Sequence, residues 1–146
     1  MTTKIEAKEN FIIGVISDTH GHVPTAVPKA FNNADLIIHA GDIGDQKVLD
    51  QLSKIAPVVA VRGNMDFGKW SGRLPEAEII KIGQITLYVL HIATRLAADP
   101  PLRYVDVVQV IVRREGHNAL SSKSGKTITW FSPLPEMRSA RVLRVP

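Results

Sequence analysis

Short apolar runs alternate with polar, glycine-bearing loops through the first half of this chain. Phe11–Ile16 is largely β-branched and stops at Ser17-Asp18-Thr19-His20-Gly21, the pattern of a buried strand feeding a loop. Val23–Phe31 carries prolines at 24 and 28, which predicts a helix starting near Pro24 and irregular at Pro28. Leu36–Ala40 is a second buried strand, ending at Gly41-Asp42. Asp45–Ile55 reads as a helix, with Val48, Leu52 and Ile55 on one face and Asp45 as its N-cap. Pro57–Val61 is a third strand, ending at Gly63-Asn64. This alternation of strand and helix predicts right-handed crossovers and a parallel sheet.

The pattern then changes. Ala77–Ile82 and Ile85–Leu90 flank Gly83-Gln84 as a β-hairpin that ends at His91. Tyr104–Val112 is a further strand candidate, with weaker ones at Thr127–Phe131 and Ala140–Val145. Neither an internal repeat nor a dividing linker interrupts residues 1–146. The expectation is one α/β domain, a two-sheet sandwich with an atypical final third.

Polar residues fall at particular places in this frame. Asp18, His20, Asp42 and Asn64 each follow an apolar strand, and His91 follows the strand at 85–90. Parallel strands align their carboxyl ends along one sheet edge, where ligands bind. Glycines at 21, 41 and 63 permit tight turns and close backbone approach there. The chain has no cysteine, so any metal is held by oxygen and nitrogen. Such donors suit Mn, Fe, Zn, Ni or Mg, and a carboxylate such as Asp42 can bridge two ions. His39, within a strand, reads as structural, and His22 as a solvated loop residue. Asp35 reads as a turn residue.

Asp18-x-His20, Gly41-Asp42 and Gly63-Asn64, followed by His91, resemble the successive motifs of the calcineurin-like metallophosphoesterases. The stretches GVISDTHG, ADLIIHAGDI and VVAVRGNMD look most like the small bacterial and archaeal phosphodiesterases of that superfamily, whose relatives include a retromer scaffold subunit. The resemblance covers residues 11 to about 108. It implies hydrolysis of a small-molecule phosphate ester by two divalent ions, manganese first among them, with a bridging water as nucleophile. Asp18 and His20 would bind the first ion, Asn64 and His91 the second, and Asp42 both. Asp66 stands where many members have a histidine that assists the leaving group; as a carboxyl it would act as an acid only with a raised pKa. A catalytically impaired scaffold that binds a protein partner is the rival expectation.

Composition narrows the remaining classes. Hydrophobic residues make up 45% and charged residues 22%, an ordinary globular balance. Met1–Asn10 lacks the apolar core of a signal peptide, and no apolar run is long enough to span a bilayer, so a cytoplasmic protein without membrane association is expected. The formal charge is +4, yet residues 1–107 hold 11 Lys/Arg against 12 Asp/Glu. Residues 108–146 hold 7 against 2, with little aromatic interleaving, which disfavours a nucleic-acid partner. Homo-oligomerisation is left open.

That basic segment is also where the family pattern breaks. The family closes its site with Gly-His-x-His, whereas Gly116-His117-Asn118-Ala119 lacks the final histidine and lies too far along the chain. His117 would complete the second ion only if its loop reaches it. Codons for Val108–Val112, read from the third base, permit Gly-His-Ser at the family's spacing. Residues after about 108 are therefore expected to be read out of the ancestral frame. Sequencing the gene across codon 108 should reveal Gly-His codons in the shifted frame; an early stop there, or their absence, rejects the idea.

Overall fold

The computed structural model describes residues 2–6, 11–82 and 85–91, together with the backbone of strands at 107–112, 118–119, 129–131 and 140–145. Ten strands form two five-stranded sheets among these residues. The first sheet has the order β4-β3-β2-β10-β9, made from Val58–Ala60, Leu36–His39, Phe11–Ile16, Ala140–Val145 and Thr129–Phe131. The second has the order β1-β5-β6-β7-β8, made from Thr2–Ile5, Ala77–Ile82, Ile85–Leu90, Val107–Val112 and Asn118–Ala119.

The two faces of β2 explain how the layers stack. Phe11, Ile13 and Val15 point one way and join Leu36 and Ile38 of β3 in a core shared with Ile80, Ile82, Leu87 and Val89 of the second sheet. Ile16 and Ile37 point the other way, into a second core with Val27, Phe31, Val48, Leu49 and Leu52. β2 and β3 are thus covered on both sides, which is why their sequences are apolar without alternation. Gly14 belongs to the helix side. A Cβ there would stand 2.8 Å from the Phe31 ring, so its absence lets that ring lie against the strand.

Helix α2, Gln46–Ser53, begins as expected: the Asp45 carboxylate accepts from Lys47 N at 2.8 Å. It buries Val48, Leu49 and Leu52 against the sheet, with Ile55 partly buried beyond its end. Helix α1 departs from expectation. It covers only Val27–Ala30, because Pro24 contributes its carbonyl to Val27 N rather than opening the helix. Pro28 sits in the first turn, where a missing N–H costs nothing. Asp35, expected as a turn residue, fastens the entry to β3: its Oδ2 accepts from Ile12 N, and its own N–H donates to Ile12 O.

The parallel arrangement expected of the first three apolar runs is present. β2, β3 and β4 are parallel, with Ile16 opposite His39 and His39 opposite Ala60. The other side of β2 is taken by β10, antiparallel, with Ala140 opposite Ile16. β5 and β6 form the expected antiparallel pair, Ile82 opposite Ile85. The three late strand candidates are all present, and β1 is an edge strand that the sequence pattern did not suggest. No helix among the described residues is long and apolar enough to cross a membrane.

Candidate metal centre

The parallel register brings the ends of β2, β3 and β4 to one edge, and main-chain hydrogen bonds then lock two loops together. Asp18 N donates to Gly41 O at 3.0 Å, His20 N to Asp42 O at 3.1 Å, and Gly21 N to Ile43 O at 2.7 Å. This zipper forces unusual backbone. Asp18, His20 and Asp42 have φ of 54°, 46° and 53°, and among the described residues they are the only non-glycines with positive φ. Left-handed backbone at an ordinary residue costs on the order of 1–3 kcal/mol and persists where surrounding structure imposes it. Here all of it falls on residues expected to bind metal.

The side chains converge accordingly. One ligand atom each from Asp18, Asp42 and His91 lies within 4.8 Å of the others. His91 Nε2 stands 3.3 Å from Asp42 Oδ2, and both side chains are buried. His91 Nδ1 is 2.8 Å from Ala40 O. A carbonyl can only accept, so Nδ1 carries the proton and Nε2 faces Asp42 either with its lone pair or as part of an imidazolium. The lone-pair form is the one a metal takes, with its other nitrogen oriented by the backbone. Asp42 Oδ1 accepts from Met65 N at 2.9 Å, and Asp18 Oδ2 from Ser17 Oγ at 2.6 Å. Each carboxylate therefore has one oxygen held and one directed to the cluster. Two carboxylates and a neutral imidazole form a donor set that fits a divalent cation.

Close backbone approach makes this density of ligands feasible. A Cβ on Gly41 would stand 2.7 Å from the His91 side chain, and that glycine also has φ of 97°. One on Gly63 would run into Asp42 N and Oδ1.

The other expected site residues occupy the rim. His20 is half-exposed, with Nε2 4.0 Å from Asp18 Oδ1. Asn64 is exposed and lines a recess beside the cluster with Gly63 and Asp66. His22 is exposed on its loop. His117 lies outside the described residues. Asp66 is buried: Oδ1 accepts from Gly44 N and Oδ2 from Gly63 N, both at 2.8 Å. Both oxygens are thus engaged by backbone donors, tying the loop that carries Asp42 to the loop that carries Asn64. Sequence spacing gave no sign of that brace, although a Gly-x-x-Asp turn is the local geometry that produces it.

His39 was read as structural, and it is fully buried beneath the zipper. Its Nδ1 accepts from Gly41 N at 3.3 Å, and its Nε2 lies 2.9 Å from Thr19 Oγ1, which itself donates to Ile43 O. The only consistent assignment is a neutral ring with its proton on Nε2. Burial pushes this imidazole down from its usual 6.5 to about 3, and the neighbouring His91 and His20 push the same way.

Known proteins resemble this chain in sequence and in fold. The family model described as the calcineurin-like phosphoesterase superfamily domain matches residues 11–130. A probable metallophosphoesterase of Methanocaldococcus jannaschii is 48% identical over 85 residues, 55% of this chain and 42% of that relative. The chain therefore spans less than half the length of this curated relative. Among solved structures, Vps29 of Chaetomium thermophilum superposes with a TM-score of 0.53 at 22% identity, covering 68% of this chain and 63% of that one. Vps29 of Entamoeba histolytica, complexed with zinc, gives 0.51 at 23% identity over the same shares. At these identities the likeness is one of fold.

Between pH 6.5 and about 3 the unfolded state carries a proton on His39 that the folded state refuses, so stability falls as pH drops through that window and is indifferent to this group above it. Urea unfolding at neutral pH and midway through the window should show the loss, and His39→Gln should flatten it; a variant as steep as the parent rejects the assignment. Asp66→Asn leaves one backbone N–H without an acceptor, which should cost about 1–3 kcal/mol in the same measurement.

Proposed function

Since the chain belongs to the calcineurin-like phosphoesterase superfamily, we propose that it is a metal-dependent hydrolase of phosphate esters and, within that class, a phosphodiesterase. The observation that carries this reading is the convergence of Asp18, Asp42 and His91, side chains from three separate strand ends, on one cluster. Asp18 and His20 would hold one ion, Asn64 and His91 a second, and Asp42 would face both. Manganese is the first ion to test, with Fe, Zn, Ni and Mg as alternatives; the zinc complex of the Entamoeba protein supports a site of this kind in the fold. The ions would neutralise phosphoryl charge and lower the pKa of a water that serves as nucleophile.

The chain's own residues do the rest. The zipper holds Asp18 and Asp42 at a fixed separation, so no reorganisation is needed when a phosphate enters. Ala40 O keeps the His91 proton on Nδ1 and aims Nε2 inward. Asp66 serves this site as a brace: an oxygen that already accepts a backbone N–H is poorly placed to protonate a leaving group. The exposed face of the cluster, at His20 and Asn64, is the side from which substrate arrives.

A scaffold reading has one observation in its favour, the missing final histidine after Gly116-His117. Metal analysis separates the two, since near-stoichiometric transition metal supports the enzyme and its absence the scaffold. The direct test is hydrolysis of bis(p-nitrophenyl) phosphate with added Mn. Asp42→Asn should lower the rate by at least ~100-fold, the upper end of what losing an outer-shell partner costs. Activity that survives that substitution, or survives chelation, rejects the mechanism.

A further inference from the structure

Among the described residues, two large apolar side chains next to the metal cluster stay exposed. Phe11 and Phe31 are 4% and 0% exposed, whereas Phe67 is 69% exposed and Met65 47%. No other large hydrophobic among the described residues is so open. Both lie on the loop that follows Asn64, and both flank the buried Asp66. The loop is no loose excursion. Asp66 pins it to Gly44 and Gly63, and Met65 N donates to Asp42 Oδ1. An aromatic ring is therefore held in water by a braced turn.

Phe67 borders a recess of about 370 Å³, lined also by Arg62, Asn64, Glu76, Ala77 and Leu90. Leu90 immediately precedes His91, and Asn64 immediately follows the glycine packed against Asp42. Gly63 itself lines the recess and packs against Asp42, so the recess lies beside the cluster. Its size is at the small end of the roughly 300–1,000 Å³ range of ligand pockets, enough for one ring-bearing group. Opposite in character to Phe67, Arg62 donates from Nη2 to Glu76 at 2.8 Å, setting a donor and a carboxylate on the same wall. An exposed apolar face beside a charged pair matches a flat ring with a polar edge and suits a plain alkyl chain poorly.

We infer that this recess is the specificity subsite of the proposed phosphoesterase, receiving a flat aromatic group esterified to the phosphate, with Phe67 as its stacking face. The inference rests on the metal-centre reading: the phosphoryl group lies at the cluster, and its aromatic substituent runs along the braced turn into the recess. Phe67 selects among substrates and takes no part in the chemistry. Bare aryl rings and nucleobases share the stacking chemistry, and the Arg62–Glu76 pair would distinguish them.

Isothermal titration of the Mn-loaded protein with phosphonates, which are not hydrolysed, tests this. Phenylphosphonate should bind about tenfold more tightly than methylphosphonate, a typical yield of stacking on one aromatic side chain. Phe67→Ala should reduce the ratio to about twofold or less while leaving methylphosphonate affinity unchanged, and Phe67→Trp should preserve it. A uridine-bearing phosphonate that binds more tightly than the phenyl compound, and loses that margin in Arg62→Ala, identifies a nucleobase; parity identifies a plain aryl ring. Equal binding of the phenyl and methyl compounds, a preference that persists in Phe67→Ala, or equal binding of cyclohexylphosphonate overturns the inference while leaving the metal centre intact. Binding of no phosphonate rejects the metal-centre reading, and the subsite falls with it.

Discussion

The arrangement at the rim depends on one main-chain contact, the run of hydrogen bonds that joins the loop after β2 to the loop after β3. Neither loop could hold its carboxylate alone. Asp18 and Asp42 occupy backbone conformations that an isolated peptide would leave, and each is kept there by its neighbour's amides and carbonyls. His39, beneath them, satisfies the amide of Gly41 and relays through Thr19 to Ile43, so the floor of the zipper is polar yet fully paired. No buried side-chain nitrogen or oxygen among the described residues lacks a partner. Rigidity at this rim is thus a property of the backbone, and the ligand side chains inherit it.

Electrostatics gives the same rim its purpose. Asp42 and His91 are buried, and burying an anion is costly unless something compensates it. Asp42 receives one amide from Met65 and faces the His91 ring, and it also has the Asp18 carboxylate as a neighbour. A divalent cation would resolve this conflict, because it would be attracted by both carboxylates and accept the imidazole lone pair. The glycines at 41 and 63 serve that end by letting His91 and Asp42 approach backbone that any side chain would push away.

Much of this was legible in sequence because its signals are local. A strand buried on both faces announces itself as a continuous apolar run, a helix N-cap as an aspartate at the edge of a periodic segment, and a site residue as a polar position just past a strand. Those signals placed β2, β3, β4, α2 and the β5–β6 pair, and drew attention to Asp18, Asp42 and His91. What stayed hidden is tertiary. Nothing in Ala140–Val145 states that its partner is β2, and nothing in the short, polar Thr2–Ile5 points to β5. The brace made by Asp66 depends on which way its carboxylate turns, and spacing carries no such information. Pro24 misled for a related reason: the residue that could open a helix instead supplied a carbonyl to the turn before it.

The seat of β10 beside β2 has a consequence for how the chain reaches this state. β2 meets β3 after one short crossover, so that pair can form from contiguous chain. Its other edge pairs Phe11 with Val145, across nearly the whole length, and closing so long a loop is entropically slow. During synthesis the strand that delivers Asp18 therefore has one flank open until β10 emerges. In that interval its unpaired amides and apolar residues form a sticky edge, and the efficiency of assembly rests on how quickly Ala140–Val145 arrives to cover it.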